Sequence, residues 1–432
     1  VSFRSESGVA LGALTLWPPL ILAPMAGVTD YPFRALCRRF AETTVDAGAA
    51  RPVGSTCGLF VSEMITARPL VEGNRKTLRL AAFGPGESPR SLQIYGVDPR
   101  YVGEAVRRLV GEGRVDHIDM NFGCPAPKIT RRGGGAAIPA KPRLLAKIVR
   151  AAVEGAGGAV PVTIKFRKGI DASLITFRDA GRVGQEEGCA AVGLHARTAA
   201  EFYSEGADWD CITELVDLLD IPVFGNGDIW EAEDAERMMA QTGCAGVIVG
   251  RGCLGRPWLF AELVARACGR EPPGPPNFGA VAEVMLAHAE AMVAWAERPG
   301  ALGERDESEC IEPEQRAEDD RKSGRARARR ARPLGAEQLA MRAFRKHASW
   351  YTKGFRGSAP LRAALMQIDS LQRLRALLET CDVAEPFPVE ALRAVRGKRG
   401  RLDKVALPAG YRDQLDDDTP PGREAALLGS GG

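Results

Sequence analysis

Nowhere among the ten cysteines of this 432-residue chain is there a Cys-x-x-Cys pair. They stand at 37, 57, 124, 189, 211, 244, 253, 268, 310 and 381, without zinc-ligand spacing or the density of a disulfide-stapled secreted scaffold. No metal site is expected, and scattered thiols suit a reducing cytoplasm. An unbroken membrane-spanning run is also missing. The most apolar stretch, residues 9–28, is interrupted by Pro18, Pro19 and Pro24 and reads as strands, so no membrane partner is expected. Excess charge is lacking too, since 58 Lys/Arg against 55 Asp/Glu leave a net of +3. With 45% hydrophobic and 26% charged residues, neither wholesale disorder nor a collagen-like fibre fits. At about 150 residues per domain the length allows roughly three domains, or one large barrel with a smaller module. The 49 Gly and 29 Pro add many turns and some unstructured chain.

What is present is a recurring unit. Short apolar runs at 20–24, 59–63, 92–96, 117–121, 161–166, 191–195, 221–226 and 246–250 each end in a polar or Gly-rich loop. Helical periodicity fills the intervals, for example at 99–112 and 231–242. Eight doubly apolar strands alternating with helices predict an α/β fold, a parallel (β/α)8 TIM barrel over residues 1–280. An open doubly wound sheet is the rival, but eight such even units favour closure. In a barrel the chemistry gathers at the strands' carboxyl ends. Polar residues do recur there: Met25 to Gly27, Glu63, Gln93, Asn121 to Cys124, Lys165, His195, Asn226 to Asp228, and Gly250-Arg251.

Past 280 the pattern becomes all-helical. Residues 281–297, 338–354 and 359–380 read as amphipathic helices of a domain spanning 281–385. It is interrupted by a charge-rich insertion at 298–337, expected to be disordered, whose Arg run is open to nucleic-acid contact or to simple solvation. The tail, 386–432, is also expected to be disordered.

Several residues carry chemical meaning by type and place. Cys124 lies between Gly123 and Pro125 just past a strand, which pins its backbone. An unperturbed thiol, with a pKa of about 8.5, keeps its proton at neutral pH and can serve as a general acid. Lys128, Arg131 and Arg132 follow on the same loop, placed either to lower that pKa or to hold a polyanion. Gly133 to Gly135 allow flexibility or close approach. Lys165 sits inside an apolar strand and needs an anionic partner, a neighbouring carboxylate or a bound anionic group. His195 ends the next strand. Gly-rich turns at Asn226-Gly227-Asp228 and Gly250-Arg251-Gly252 close strands seven and eight, where barrels bind phosphate through backbone N–H groups.

APMAGVTDYPFR (23–34), SEMI (62–65), QIYG (93–96), NFGCPAPKITRRGGGAAI (121–138), HARTAAEFYSEGADW (195–209), FGNGDI (224–229) and GRGCLGRPW (250–258) occur in this order. Together they resemble the tRNA-dihydrouridine synthases, most nearly the bacterial B-type branch. RKHASWYTKG (345–354) is similar to that family's carboxyl-terminal helical domain. The resemblance runs from about residue 15 to about residue 400, across the insertions.

The resemblance implies an FMN enzyme that reduces the C5=C6 bond of uridines in tRNA, with NADPH as reductant. By motif, Pro24, Met25 and Ala26 would lie against the isoalloxazine, and Gln93, Lys165 and His195 would contact the flavin. Asn226, Gly227, Asp228, Gly250 and Arg251 match the phosphate and ribityl end. Cys124 matches the acid that protonates C5 after hydride passes from flavin N5 to C6. Asn121, Lys128, Arg131, Arg197, Arg345, Lys346 and Lys353 are expected to contact tRNA, and the protein is expected to be a monomer.

Charge fits a split of labour. Residues 339–401 hold 13 Lys/Arg against 5 Asp/Glu, a net of +8, leaving −5 for the rest. A basic module beside a slightly acidic barrel is expected, with Trp350 and Tyr351 available for stacking or for the module's core. Three departures from the family pattern stand out: a longer connection at 41–58, Ala199-Ala200 where many members have an Arg, and the 298–337 insertion. An FMN barrel acting on free pyrimidines is the first rival, although it would not need the helical domain. An RNA chaperone without chemistry is the second.

Overall fold

The structure is a computed structural model that describes residues 3, 8–46, 51–204, 206–298, 334–397, 405–422 and 425. The chain forms two compact units, Val1–Pro275 with Phe387–Gly432, and Pro276–Pro386.

In the first unit eight parallel strands close into a barrel. They are β1 (Leu20–Leu22), β2 (Leu59–Thr66), β3 (Ser91–Tyr95), β4 (His117–Phe122), β5 (Val162–Arg167), β6 (Ala191–His195), β7 (Val223–Asn226) and β8 (Gly246–Val249). Each pairs with the next, and β8 returns to β1 through Val247↔Leu20. All eight coincide with the apolar runs of the sequence. Strands covered on both faces need no polar alternation, as in β1 and β8, whereas β4 alternates because its inward face is polar.

Some of the helices between strands begin at a side-chain cap. Asp98 accepts the Arg100 amide at 3.0 Å, and Pro99 occupies the first turn of the helix Pro99–Gly111. That helix buries Val102, Ala105, Val106 and Leu109. Each buried aliphatic side chain of this size stabilises the fold by about 1.5–3 kcal/mol, and a charge at Val106 would be buried without a partner.

The barrel interior is divided. One part is apolar, built from Ile21, Ala23, Leu59, Val61, Phe224 and Ile248. The hairpin Val9–Leu11/Leu14–Leu16 inserts Leu11 and Leu16 into the same cluster and closes the end where strands begin. The other part, facing β3 to β7, is polar.

The second unit contains the helices Phe278–Glu297, Ala336–Tyr351, Ser358–Leu365 and Leu371–Leu378. Phe278–Glu297, contrary to the expectation, is long and apolar enough to cross a membrane. Its buried residues, among them Val281, Met285, His288 and Met292, recur at helical spacing, and His288 Nδ1 lies 3.1 Å from Tyr351 Oη. A core helix has the same composition. The expected 359–380 helix is two, because the Ser370 hydroxyl accepts the Arg373 amide at 3.2 Å and starts a new helix there.

The expected insertion, 298–337, lies outside the described residues except at its edges. The tail is a correction. Residues 405–422 follow a defined path on the barrel unit, and Tyr411 is buried. Apolar Val405, Leu407 and Leu415 pack there against Ala137, Ala140 and Ile170, which offsets the ordering entropy that composition alone would leave unbalanced.

Candidate active site

Alternate residues of a strand point to one face. On β3 to β7 the inward set is Ser91 and Gln93, His117, Asp119 and Asn121, Thr163, Lys165 and Arg167, then His195 and Asn226. Register sets them side by side: Gln93↔Asp119, Asp119↔Thr163, Asn121↔Lys165, His195↔Arg167 and His195↔Asn226.

A hydrogen-bonded chain crosses three strands. Thr163 Oγ1 donates to Asp119 Oδ1 at 2.7 Å, so it must accept from His117 Nε2 at 3.0 Å. His117 Nδ1 then accepts from the Ser91 hydroxyl at 2.8 Å. Burial pushes His117 down to about 3, which keeps the imidazole neutral in that tautomer. The other Asp119 oxygen accepts from Gln93 Nε2 at 2.7 Å, and Gln93 Oε1 accepts from Asn121 Nδ2 at 2.8 Å. Burial raises the Asp119 carboxyl, against the Thr163 and Gln93 hydrogen bonds and Lys165. Burial and then Arg167 pull Lys165 down, against Asp119. Lys165 Nζ donates to Asn226 Oδ1 at 2.8 Å, and Asn226 Nδ2 donates to the Ile248 carbonyl at 2.8 Å.

The chain ends on the Cys124 loop. Asn121 Oδ1 accepts the amides of Gly123 at 3.2 Å and Cys124 at 3.1 Å. Arg167 Nε donates to the Gly123 carbonyl at 2.9 Å, and its Nη1 reaches Thr198 O at 2.9 Å and Phe202 O at 3.0 Å. Cys124 O accepts the Ala136 amide at 3.0 Å, which folds the Gly-rich run back on the loop. A Cβ at Gly134 would collide with Tyr95 Oη, so close approach rather than flexibility explains that glycine. Cys124 is half-buried, whereas Lys128, Arg131 and Arg132 are exposed.

Beyond β6 and β8 lies a cationic, aromatic corner. The Arg251 guanidinium sits over the rings of Tyr203 (4.3 Å) and Trp230 (5.4 Å). Its Nη1 is buried with no hydrogen-bond partner among the described residues. Burial, then Arg197, lowers Arg251 to about 10. Arg197 Nη2 bonds both Asp228 oxygens at 2.8 and 2.7 Å. Gly227 (φ +134°) has a backbone that L side chains rarely adopt, and a Cβ there would lie 2.6 Å from Ala207 Cβ. Burial first, then Arg167, Lys165, Arg197 and Arg251, holds His195 well below its ordinary range. A buried guanidinium nitrogen left without a partner costs free energy unless an anion meets it, so the corner fits a phosphate.

The dihydrouridine synthase (Dus) family model matches residues 21–304. The chain belongs to the dihydrouridine synthase family. It is 45% identical over 434 residues to the probable tRNA-dihydrouridine synthase of Mycobacterium tuberculosis, covering 100% of this chain and 99% of that protein. The Mycobacterium leprae protein of that name is 46% identical over 95% of this chain and 100% of its own. tRNA-dihydrouridine synthase B of Pseudomonas aeruginosa is 40% identical over 60% and 72%.

Within this dihydrouridine synthase family member, most of the expected cofactor residues share the barrel mouth. Pro24 and Met25 are half-buried and Ala26 is exposed; Gln93, His195 and Asn226 are buried. Other expectations need correction. Asn121, half-buried, spends its side chain on Gln93 and the Cys124 loop and so anchors that loop. Arg197, expected to touch RNA, is 2% exposed and locked to Asp228. Asp228 correspondingly orients Arg197.

In the helical unit Arg345 Nε donates to the Ile368 carbonyl at 2.8 Å, and Tyr351 is a core residue beside His288. The helix stops at Tyr351, so Lys353 falls beyond it. The basic stretch 339–401 also straddles the two units. Residues 387–401, with five Lys/Arg against one Asp/Glu, go with the barrel; Pro276–Pro386 as a whole has 18 against 17. Arg393 is paired with Glu231 and Asp234, and Arg396 is buried.

Sequence reasoning missed His117, Asp119, Thr163, Arg167, Tyr203 and Trp230. A signal existed for two of them: Asp119 breaks an apolar strand, and Arg167 follows Lys165 by two, on the same face.

Proposed function

We propose that this protein reduces the C5=C6 bond of uridines in tRNA to 5,6-dihydrouridine, using FMN reduced by NADPH. The observation that carries this reading is the Cys124 loop. Its backbone is fixed from Asn121 and Arg167 at the mouth of a barrel whose other corner keeps a buried guanidinium nitrogen of Arg251 without a hydrogen-bond partner among the described residues. When bound, the flavin supplies the hydride.

The chain's own residues do the rest. Arg251, between Tyr203 and Trp230, would hold the phosphate together with the backbone of Gly227 and Gly250. Lys165 would place its ammonium against the anionic edge of the ring system, with Asn226 fixing its direction. Gln93, oriented by Asp119, and neutral His195 would donate further hydrogen bonds, and Pro24, Met25 and Ala26 would line one face. Cys124 would give its thiol proton to C5 of the uracil, a step a positioned acid accelerates about 10²- to 10⁴-fold. Lys128 and Arg131, exposed on the same loop, would meet RNA phosphates, and Lys346 and Lys353 would add contacts from the helical unit. A target uracil must leave its stack, at a cost of a few kcal/mol that such contacts supply. We place the protein in the cytoplasm as a monomer without a metal.

The test is to incubate the purified flavoprotein with NADPH and unmodified tRNA transcript and to measure nucleosides by mass spectrometry. Dihydrouridine is expected. Reduction of free uracil with none of tRNA would overturn the reading in favour of a free-pyrimidine reductase.

A further inference from the structure

The tail runs along one side of the barrel mouth and attaches to two adjacent loops. Tyr411 Oη donates to the Ala137 carbonyl at 2.9 Å, and Lys141 Nζ stands 4.8 Å from the Tyr411 ring centroid. Lys141, itself only 6% exposed, pairs with Asp417 at 2.9 Å, and Lys147 pairs with Asp418 at 2.6 Å. A Cβ at Gly133 would touch Tyr411, Pro408 and Pro421 at 3.2–3.6 Å. On the neighbouring loop Arg412 bonds Ser173 Oγ at 2.8 Å and pairs with Asp171, in the small sheet that follows β5.

The attachments after β4 fall within residues 133–147, the continuation of the Cys124 loop and the start of the helix Pro142–Ala156. The path from tail to thiol is short. Tyr411 holds Ala137, the Ala137 amide donates to Gly134 O at 3.1 Å, and the Ala136 amide donates to Cys124 O at 3.0 Å. The two attached loops follow β4 and β5, the strands that carry Asn121, Lys165 and Arg167. An ordered segment with a buried ring, a buried lysine held in an ion pair and two further surface ion pairs is more than a solvated end.

We propose that residues 405–422 are a strap that sets the position of the Cys124 loop, with Tyr411 as its positioning residue. Its catalytic consequence rests on Cys124 being the acid. The strap attaches to the segments that follow β4 and β5, so it acts on the proton-transfer step through loop placement.

The test uses the full-length flavoprotein carrying Tyr411→Ala or Tyr411→Phe. Amide exchange across residues 124–141 reads the loop directly. Tyr411→Ala is expected to speed exchange at Ala136 and Ala137 at least tenfold, with Tyr411→Phe in between. In single-turnover reduction of tRNA the rate should fall at least tenfold while the KM for tRNA stays within twofold. Unchanged exchange would overturn the strap, and faster exchange with an intact rate would overturn its positioning role. If Tyr411→Ala does not fold, Asp417→Asn gives the same readouts with smaller amplitude. A wild-type protein inactive on tRNA would sink the functional reading, and the exchange measurement would still decide the strap.

Discussion

Arg167 donates from Nε to the carbonyl of Gly123 at 2.9 Å, so a strand residue of β5 fixes the residue before Cys124. Because the same guanidinium also serves Thr198 O and Phe202 O, its fork geometry matters as much as its charge. Arg167→Lys should therefore lower tRNA reduction at least tenfold, since one ammonium cannot span three carbonyls. Arg167→Met should also cost about 3 kcal/mol of stability through unsatisfied buried groups. Urea unfolding and single-turnover kinetics check both parts, and a fully active Arg167→Lys would refute the argument.

Cys124→Ala should retain flavin and lose about 10²- to 10⁴-fold in the reduction of tRNA. Stopped-flow oxidation of the reduced flavin by tRNA measures this. An unimpaired rate would remove Cys124 from the role of acid.

Arg251→Met deletes the guanidinium that sits over both Tyr203 and Trp230. A charge-assisted hydrogen bond contributes about 1.5–3 kcal/mol, so FMN affinity should fall about 10- to 100-fold. Flavin fluorescence titration of the apoprotein reads this, and unchanged affinity would place the phosphate elsewhere.

Gly134→Ala should impair the Cys124 loop because its Cβ meets Tyr95 Oη in the core. Tyr95→Phe removes that oxygen and should restore part of the lost activity in the double variant. A double variant no better than Gly134→Ala alone would show that the glycine is needed for another reason.

All four histidines, 117, 195, 288 and 347, are buried, and burial lowers each of them, His117 and His288 to about 3. A lowered folded-state value means that the unfolded chain binds more protons below pH 6.5, so stability falls as pH drops from 6.5 towards 3. The limit is about 1.4 kcal/mol per pH unit for each histidine. Glu262, Asp119 and the half-buried Glu42, all raised by burial, act in the opposite direction, but three groups offset only part of four. Denaturant midpoints should therefore decline from pH 7 to pH 5, and a flat profile would contradict the burial.

Read along the chain, the eight apolar runs determined the barrel, because strands buried on both faces are recognisable one at a time. The same holds for the loop glycines, Cys124, Lys165 and Arg251, which stand out by type against their local surroundings. Tertiary structure alone decided partnership. Arg197 and Asn121 looked like exposed RNA contacts, yet one is buried against Asp228 and the other ties down the Cys124 loop. Asp119, Thr163 and His117 become one hydrogen-bonded chain only when β4 and β5 pair in register. The tail looked disordered by composition, yet Tyr411 and Asp417 find Ala137 and Lys141 some 270 residues earlier. Hydrophobic pattern is a local property that sequence carries, whereas satisfying a buried charge or carbonyl depends on groups brought together by folding.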